Sequence, residues 1–360
     1  MPTNMSSFAS THSLQTSVAG GSASSSSAPS SSTAAAAPPV WKWKQEEACK
    51  AAKQLQHKLT EIIEEAAFKS LIQSAKSKED AVRMVNCTFN GATLFNHIRP
   101  IERALEMKDF DWRSALRHKY GLPPVYAANR GVAFCVCGDS ISAGHNHCCR
   151  RVCGPATTER HDAVVGALED IMREEFKFKV RRLPSEVRAR INEGDREKYL
   201  IPDLDISDEL TGERWYVDVS GLCGESKSHL PKASIEGWSE DQLRGHTMDE
   251  MRARESKKDV HYAALSMVGE AEVIPFVFES HGGLSERAES FISEVCDYAA
   301  DQDYYSADAS SLLAGYMRRR IAIAVQRGNA MLDKRASSSQ RNSFSARASN
   351  GEFFELGSAA

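Results

Sequence analysis

Apolar residues recur three and four apart over Trp41 to Ser77. Ala52, Leu55, Leu59, Ile62 and Ala66 form one stripe among Lys, Glu and Gln, which predicts an amphipathic helix. The stripe suits a packing helix or a short coiled-coil seam, and it is the chain's candidate surface for self-association. The opening Trp41-Lys42-Trp43-Lys44 also fits a nucleic-acid contact, a weaker reading than packing. Lys78 to Lys119 reads as two or three short helices, of which Asp109 to Tyr120 is basic on one side and is ended by Gly121-Leu-Pro-Pro124. Thr158 to Glu175 returns to the helical period, with Val164, Leu168, Ile171 and Met172 on one face. Its acids, Glu159, Glu169, Asp170, Glu174 and Glu175, are by default solvated, although one of them could approach a metal site.

The period then changes to two. Phe176-Lys-Phe-Lys-Val-Arg-Arg-Leu183 alternates apolar and basic residues, as a strand with one cationic face does. Lys177, Lys179, Arg181 and Arg182, with Arg188 and Arg190, make the chain's best phosphate-contacting patch, and fit an ordinary solvated strand face equally well. Leu200 to Ser220 predicts two further strands. Ile201 and Leu204 to Ile206 form the first, Ser-Asp-Glu-Leu-Thr-Gly-Glu the turn, and Trp215 to Val219 the second. Asp203 and Asp218 interrupt these apolar runs, which is costly unless each is paired or holds a cation. Neighbouring carboxylates on rigid strands suit Mg²⁺; a solvated strand edge with scattered acids fits them too. Ser220 to Gly245 reads as a loop, Met248 to Gly269 as a helix carrying Lys257, Lys258 and Tyr262, and Glu272 to Ser280 as a strand. Ser285 to Ala300 and Ser310 to Leu332 are closing helices. The succession is that of a mixed α/β layer structure.

Composition sets the limits of the ordered region. Of 360 residues, Met1 to Val40 contains no Lys, Arg, Asp or Glu, so it cannot bury enough apolar surface to order itself and is expected to be a disordered tail. It has neither a signal-peptide nor a transit-peptide pattern. The Ser-rich stretch from about Ala336 is expected to behave likewise. No apolar run approaches the roughly 20 residues of a membrane span, so a soluble, intracellular protein is expected. A formal net charge of −4 leaves any case for nucleic acid to local patches.

Five of the nine cysteines, Cys135, Cys137, Cys148, Cys149 and Cys153, fall close together with His145 and His147 among them. An odd total and two tight pairs argue against a secreted disulfide framework. A Cys-x-Cys-Gly knuckle, a Gly-containing turn and a His/Cys cluster can supply four N/S ligands to zinc. The favoured set is Cys135, Cys137, His145 and Cys149, with His147, Cys148 and Cys153 as rivals. Four protein ligands make such a zinc structural.

Pro202-Asp203, then Asp218, then Lys258-x-x-x-Tyr262 on a helix resembles the restriction-like endonuclease domain of non-LTR retrotransposons, within the PD-(D/E)xK nuclease superfamily. The flanks agree. Leu122-Pro, Cys135-x-Cys137-Gly, His145-x-x-x-Cys149 and Arg160-His161-Asp look like the region after the reverse transcriptase in those elements. Phe276-Val-Phe-Glu-Ser-His-Gly282-Gly283-Leu-Ser and Gln326-Arg-Gly-Asn329-Ala look like its later strand and last helix. The resemblance implies a restriction-endonuclease-like mixed sheet flanked by helices, over 158–333, preceded by a helical region at 41–124 and a zinc knuckle at 125–157. Tails at 1–40 and 334–360 would flank these parts. It implies a Mg²⁺-dependent DNA endonuclease, with Asp203 and Asp218 holding the metal, Lys258 orienting water or stabilising charge, and Tyr262 supporting it. DNA is the implied partner, with RNA also admissible, and the nucleus is a compatible compartment. Ser220 stands where the family's usual lysine follows its acid, which makes Lys258 the replacement, with Lys257 its rival. A polymerase palm motif is absent, so this would be the endonuclease end of such an element, as a fragment or as a derived gene. A catalytically inactive zinc-containing nucleic-acid-binding module of the same fold is the first alternative, and an interaction protein built on the Trp41 helix the second.

Overall fold

The computed structural model describes residues 40–92, 94–97, 103–149, 151, 154, 156–184, 189–193, 196–266, 272–301 and 309–349. The expected tails at 1–39 and 350–360, Cys153, Arg188 and the Arg190 side chain lie outside what is described. The chain divides into two compact units, Met1–Ile62 and Ile63–Ala360, and the division falls within the first helix, α1 (Val40–Gln73). In the first unit Leu55, Leu59 and Ile62 of the predicted stripe are exposed. In the second, the last turns of α1 place Phe68 and Ile72 against Ala81, Val82 and Val85 of α2 (Lys78–Asn86) and against Leu243. Ser77 caps α2 by accepting a hydrogen bond from the Asp80 amide, 3.1 Å away.

Short helices α3 (Asp109–Lys119), α4 (Val125–Arg130) and α5 (His145–Cys148) follow, and α6 (Ala156–Glu174) leads into the sheet. Its four strands are β1 (Lys179–Arg182), β4 (Leu204–Ser207), β5 (Arg214–Leu222) and β6 (Val273–Glu279), in the order β1-β4-β5-β6. The first two pairings are antiparallel. β5 and β6 run parallel, a pairing that requires a crossover, and α7 (Glu240–Ser266) supplies it. A separate antiparallel pair, β2 (Ala189–Glu193) and β3 (Arg196–Leu200), was not expected. Half of its ten residues are charged, and the strands are too short for their alternation to stand out. The Gly194-Asp195 dipeptide between the two strands was the available hairpin signal.

Strand alternation separates the two faces of β5. Trp215, Val217 and Val219 face the main core, where they meet Leu168, Ile171 and Met172 of α6. Phe291, Ile292 and Val295 of α8 (Glu286–Asp301) and Met317, Ile321 and Val325 of α9 (Ala309–Ser349) complete that core. Tyr216 and Leu222 lie on the opposite face, with Tyr262 and Met251 of α7. Asp218 shares the parity of Tyr216 and Leu222, so it too lies under α7. The helices α6 and α9 approach so closely at Gly328 that a Cβ there would come within 2.8 Å of the Arg160 backbone.

Two expected boundaries move. α7 begins at Glu240 and not near Met248, because Ser239 and Gln242 form a reciprocal cap: the Gln242 amide donates to Ser239 Oγ at 3.2 Å and the Ser239 amide to Gln242 Oε1 at 2.7 Å. The tail expected from 334 is helical as far as Ser349. Ala336 and Gln340 are buried there, because the knuckle region packs on this end of α9. Composition alone had read the serines on the outer side as a sign of disorder.

Candidate functional site

In the register of β4 and β5, Leu204 faces Val217. One step further out, this places Asp203 opposite Asp218. Two residues of α7 one turn apart converge on Asp218. Lys258 Nζ is 2.6 Å from Oδ2, and the Tyr262 hydroxyl donates to Oδ1 at 3.1 Å. The lysine thus makes a close ion pair with the buried Oδ2. Burial and the Asp203 charge push the Asp218 carboxyl up, against the pull of Lys258 and Tyr262. Burial, then the Asp218 charge, pushes the Tyr262 hydroxyl up, so it keeps its proton.

Asp203 is held from two sides. The Val219 amide donates to its Oδ2 at 2.7 Å and His161 Nε2 lies 3.0 Å from the same oxygen. Burial works against the imidazolium of His161, but Asp203 and Asp162 outweigh it and raise the group to about 9. The residue of this helix beside the Asp pair is therefore His161 and none of its acids, whose default reading was solvation. Three of those acids are engaged elsewhere: Glu169 with Arg173 and Arg182, Glu159 with Arg335, and Glu175 with the Tyr316 hydroxyl. The Arg160-His161-Asp162 start of α6 was the sequence signal for this contact.

Ser220, two residues beyond Asp218, carries no catalytic cation, and Arg254 Nη1 donates to its Oγ at 3.3 Å. A cleft of about 540 Å³ opens alongside, lined by Tyr199, Ser220, Arg254, Lys257, Lys258 and His261 among others. The basic strand is not part of this cleft. Lys177 donates to the Glu174 carbonyl, Lys179 pairs with Glu209, Arg181 with Asp205, and Arg182 with Glu169. Arg214 shares Asp205 with Arg181. The strand is also shorter than expected, because Lys177 and Leu183 adopt left-handed φ of 61° and 45° at its two ends.

The knuckle ligands meet as expected. Gly138, at φ 96°, lets the chain turn back so that the Cys135 amide donates to the Asp139 carbonyl at 2.8 Å. His145 and Cys149 lie four residues apart across the single turn α5. Cys135 Sγ is 3.9 Å from Cys149 Sγ, and Cys137 Sγ is 3.4 Å from His145 Nε2. All four donor atoms fall within 4.8 Å of one another, a set that could hold a metal ion such as zinc. Of the rivals, His147 is turned towards His118, and Cys148 donates to the carbonyls of Gly144 and His145.

Asp333 of α9 fastens this region. It accepts hydrogen bonds from Ser114 and, at 2.8 Å, from Asn146 Nδ2. Burial raises its carboxyl from 3.8 to about 6. The unfolded chain therefore ionises first, and ionisation opposes folding. The penalty is absent below about pH 4 and complete above about pH 6, where two pH units correspond to about 3 kcal/mol. Asp333→Asn removes the charge and keeps the volume. In urea titrations it is expected to be more stable than the parent at pH 8 and to lose that advantage by pH 4.

Among the described residues no helix is long and apolar enough to cross a membrane. No protein-family model matches the chain, and neither does any curated protein.

Proposed function

We propose that this protein is a Mg²⁺-dependent DNA endonuclease with a restriction-endonuclease-like domain of the kind found in non-LTR retrotransposons. One observation carries the reading: Asp203 and Asp218 lie opposite each other on adjacent strands while Lys258 and Tyr262 reach Asp218 from α7. The mixed sheet under helices supports the fold assignment.

The donor chemistry suits Mg²⁺. Carboxylate oxygens on a rigid sheet are hard ligands, and Asp203 lies opposite Asp218, whose Oδ2 is buried beside Lys258. When bound, the ion would lower the pKa of a water and offset charge on the scissile phosphate. The residues of the chain do the positioning. The Val219 amide and His161 fix one oxygen of Asp203, which orients the carboxylate. Tyr262 fixes Oδ1 of Asp218 and leaves Oδ2 facing Lys258. Lys258, side chain 22% exposed, is free to turn from Asp218 to a phosphate oxygen or the attacking water, the part that a lysine at 220 would otherwise play. Arg254 and Lys257 give the cleft its cationic lining, suited to a phosphate backbone. The strand cations Lys179, Arg181 and Arg182 would have to leave their carboxylates, and Lys177 the Glu174 carbonyl, to join it. In the Cys3His set zinc would be a structural ion, since all four positions are protein ligands.

The test is nicking of supercoiled plasmid by the full chain in Mg²⁺, Mn²⁺ and EDTA. Lys258→Met is expected to lower the rate by about 10²–10³-fold, and Lys257→Met to change it only a few-fold. Absence of nicking by folded, zinc-loaded protein would overturn the proposal, and a gel shift on the same DNA would then identify an inactive binding module.

A further inference from the structure

We propose that His118, Glu225 and His281 form a second metal site, for a zinc-class dication, at the carboxyl end of the β5–β6 pair. The three residues come from distant parts of the chain. His118 lies in the last turn of α3, Glu225 follows β5, and His281 follows β6. Both imidazole Nε2 atoms point at one carboxylate oxygen, Glu225 Oε1, from 3.1 Å and 2.6 Å. Their side chains are only 2% and 4% exposed, and that of Glu225 is 4% exposed. The three donor atoms lie within 4.8 Å of one another.

A hydrogen-bonded clasp accounts for only part of this arrangement. The His118 and His281 rings stack at 4.0 Å, and His147 meets His118 edge-on at 4.1 Å. Buried ring nitrogens in native proteins almost always have partners, yet His118 Nδ1 and both ring nitrogens of buried His147 have none. Two imidazoles thus share one carboxylate oxygen, a third packs edge-on against one of them, and His118 Nδ1 and the His147 nitrogens make no hydrogen bond. Two imidazoles and a carboxylate select a borderline cation such as Zn²⁺ over Mg²⁺. Zinc bonds of about 2.0–2.1 Å put tetrahedral donors roughly 3.3 Å apart, so a small rotation of Glu225 admits the ion. His281 already has an outer partner, Cys87 Sγ, at 3.6 Å from its Nδ1. Gly144 makes room for the carboxylate, since a Cβ there would lie 2.1 Å from Glu225 Oε2. An ion held here would tie α3 to the end of the strand that carries Asp218.

The test counts zinc by mass spectrometry in the full chain carrying Asp218→Asn, which removes the proposed Mg²⁺ site as a competing trap. After loading and desalting, two equivalents per chain are expected. Adding Cys149→Ser should leave one, and adding either Glu225→Gln or His281→Gln should also leave one. One equivalent in the starting protein and none with Cys149→Ser would overturn the site. So would Glu225→Gln protein that is destabilised but keeps both ions, which would identify a hydrogen-bonded clasp. Cobalt titration of the chain without these added changes guards against misfolding. The thiolate charge-transfer band should saturate at one equivalent, and a second tight equivalent should add only ligand-field absorption. Absence of that second equivalent would also sink the proposal.

Discussion

Asp218→Asn is expected to reduce Mg²⁺-dependent plasmid nicking by a factor on the order of 10³ or more. The change keeps the side chain's size and replaces a carboxylate oxygen by an amide nitrogen, which can neither hold a hard cation nor balance Lys258, 2.6 Å away. Tyr262 can still donate to the remaining oxygen. The burial that raises the Asp218 carboxyl also means that a neutral group costs the fold little. Thermal melts should therefore place the variant near the parent while nicking is lost, which separates a role in chemistry from one in folding. Metal-dependent nicking that survived in folded Asp218→Asn protein would remove this carboxylate from the mechanism and the endonuclease reading with it. Asp203→Asn should follow the same course. His161 is a positioning group in this scheme, since it acts on Asp203 and not on substrate.

Loss of a knuckle ligand should have the largest effect on stability. Cys149→Ser is expected to release one zinc equivalent and to destabilise the second compact unit by several kcal/mol, because a structural metal contributes its binding energy to folding. Beside the Asp333 hydrogen bonds, the cluster rests on a small apolar core. Its apolar surroundings are Tyr126, Ala127 and Ile141 with Leu332 and Ala336 of α9, a small core beside the main one. Metal content and thermal midpoint measured together check this. Unchanged values in both would make the four residues free thiols and an imidazole, and would attribute their proximity to packing alone.

Much of the layer structure was legible before any coordinates, because periodicity reports burial directly. The stripe of Val164, Leu168, Ile171 and Met172 and the run Trp215 to Val219 each have one side in the main core. The ligand set Cys135, Cys137, His145 and Cys149 was legible because close spacing restricts which donors can meet. The β2–β3 pair was not, since its strands are too short for their alternation to stand out. Nor was the continuation of α9, where burial of Ala336 and Gln340 comes from the knuckle region packing on it. The basic strand shows the limit of reading charge locally: Lys179, Arg181 and Arg182 face carboxylates 13 to 30 residues away in the chain, so their positive charge is largely answered within the fold.

The sequence by itself determined most of the element types outside β2–β3 and the end of α9, the knuckle spacing and the two interrupting aspartates, because each depends on spacing along one segment. Only the tertiary structure decided that His161 meets Asp203, that Lys258 and not Lys257 reaches Asp218, and that His118, Glu225 and His281 converge. The reason is physical. These contacts join side chains from separate elements, and their distances are set by strand register, by the parity of β5 and by the crossover of α7, none of which appears in any single stretch of the chain.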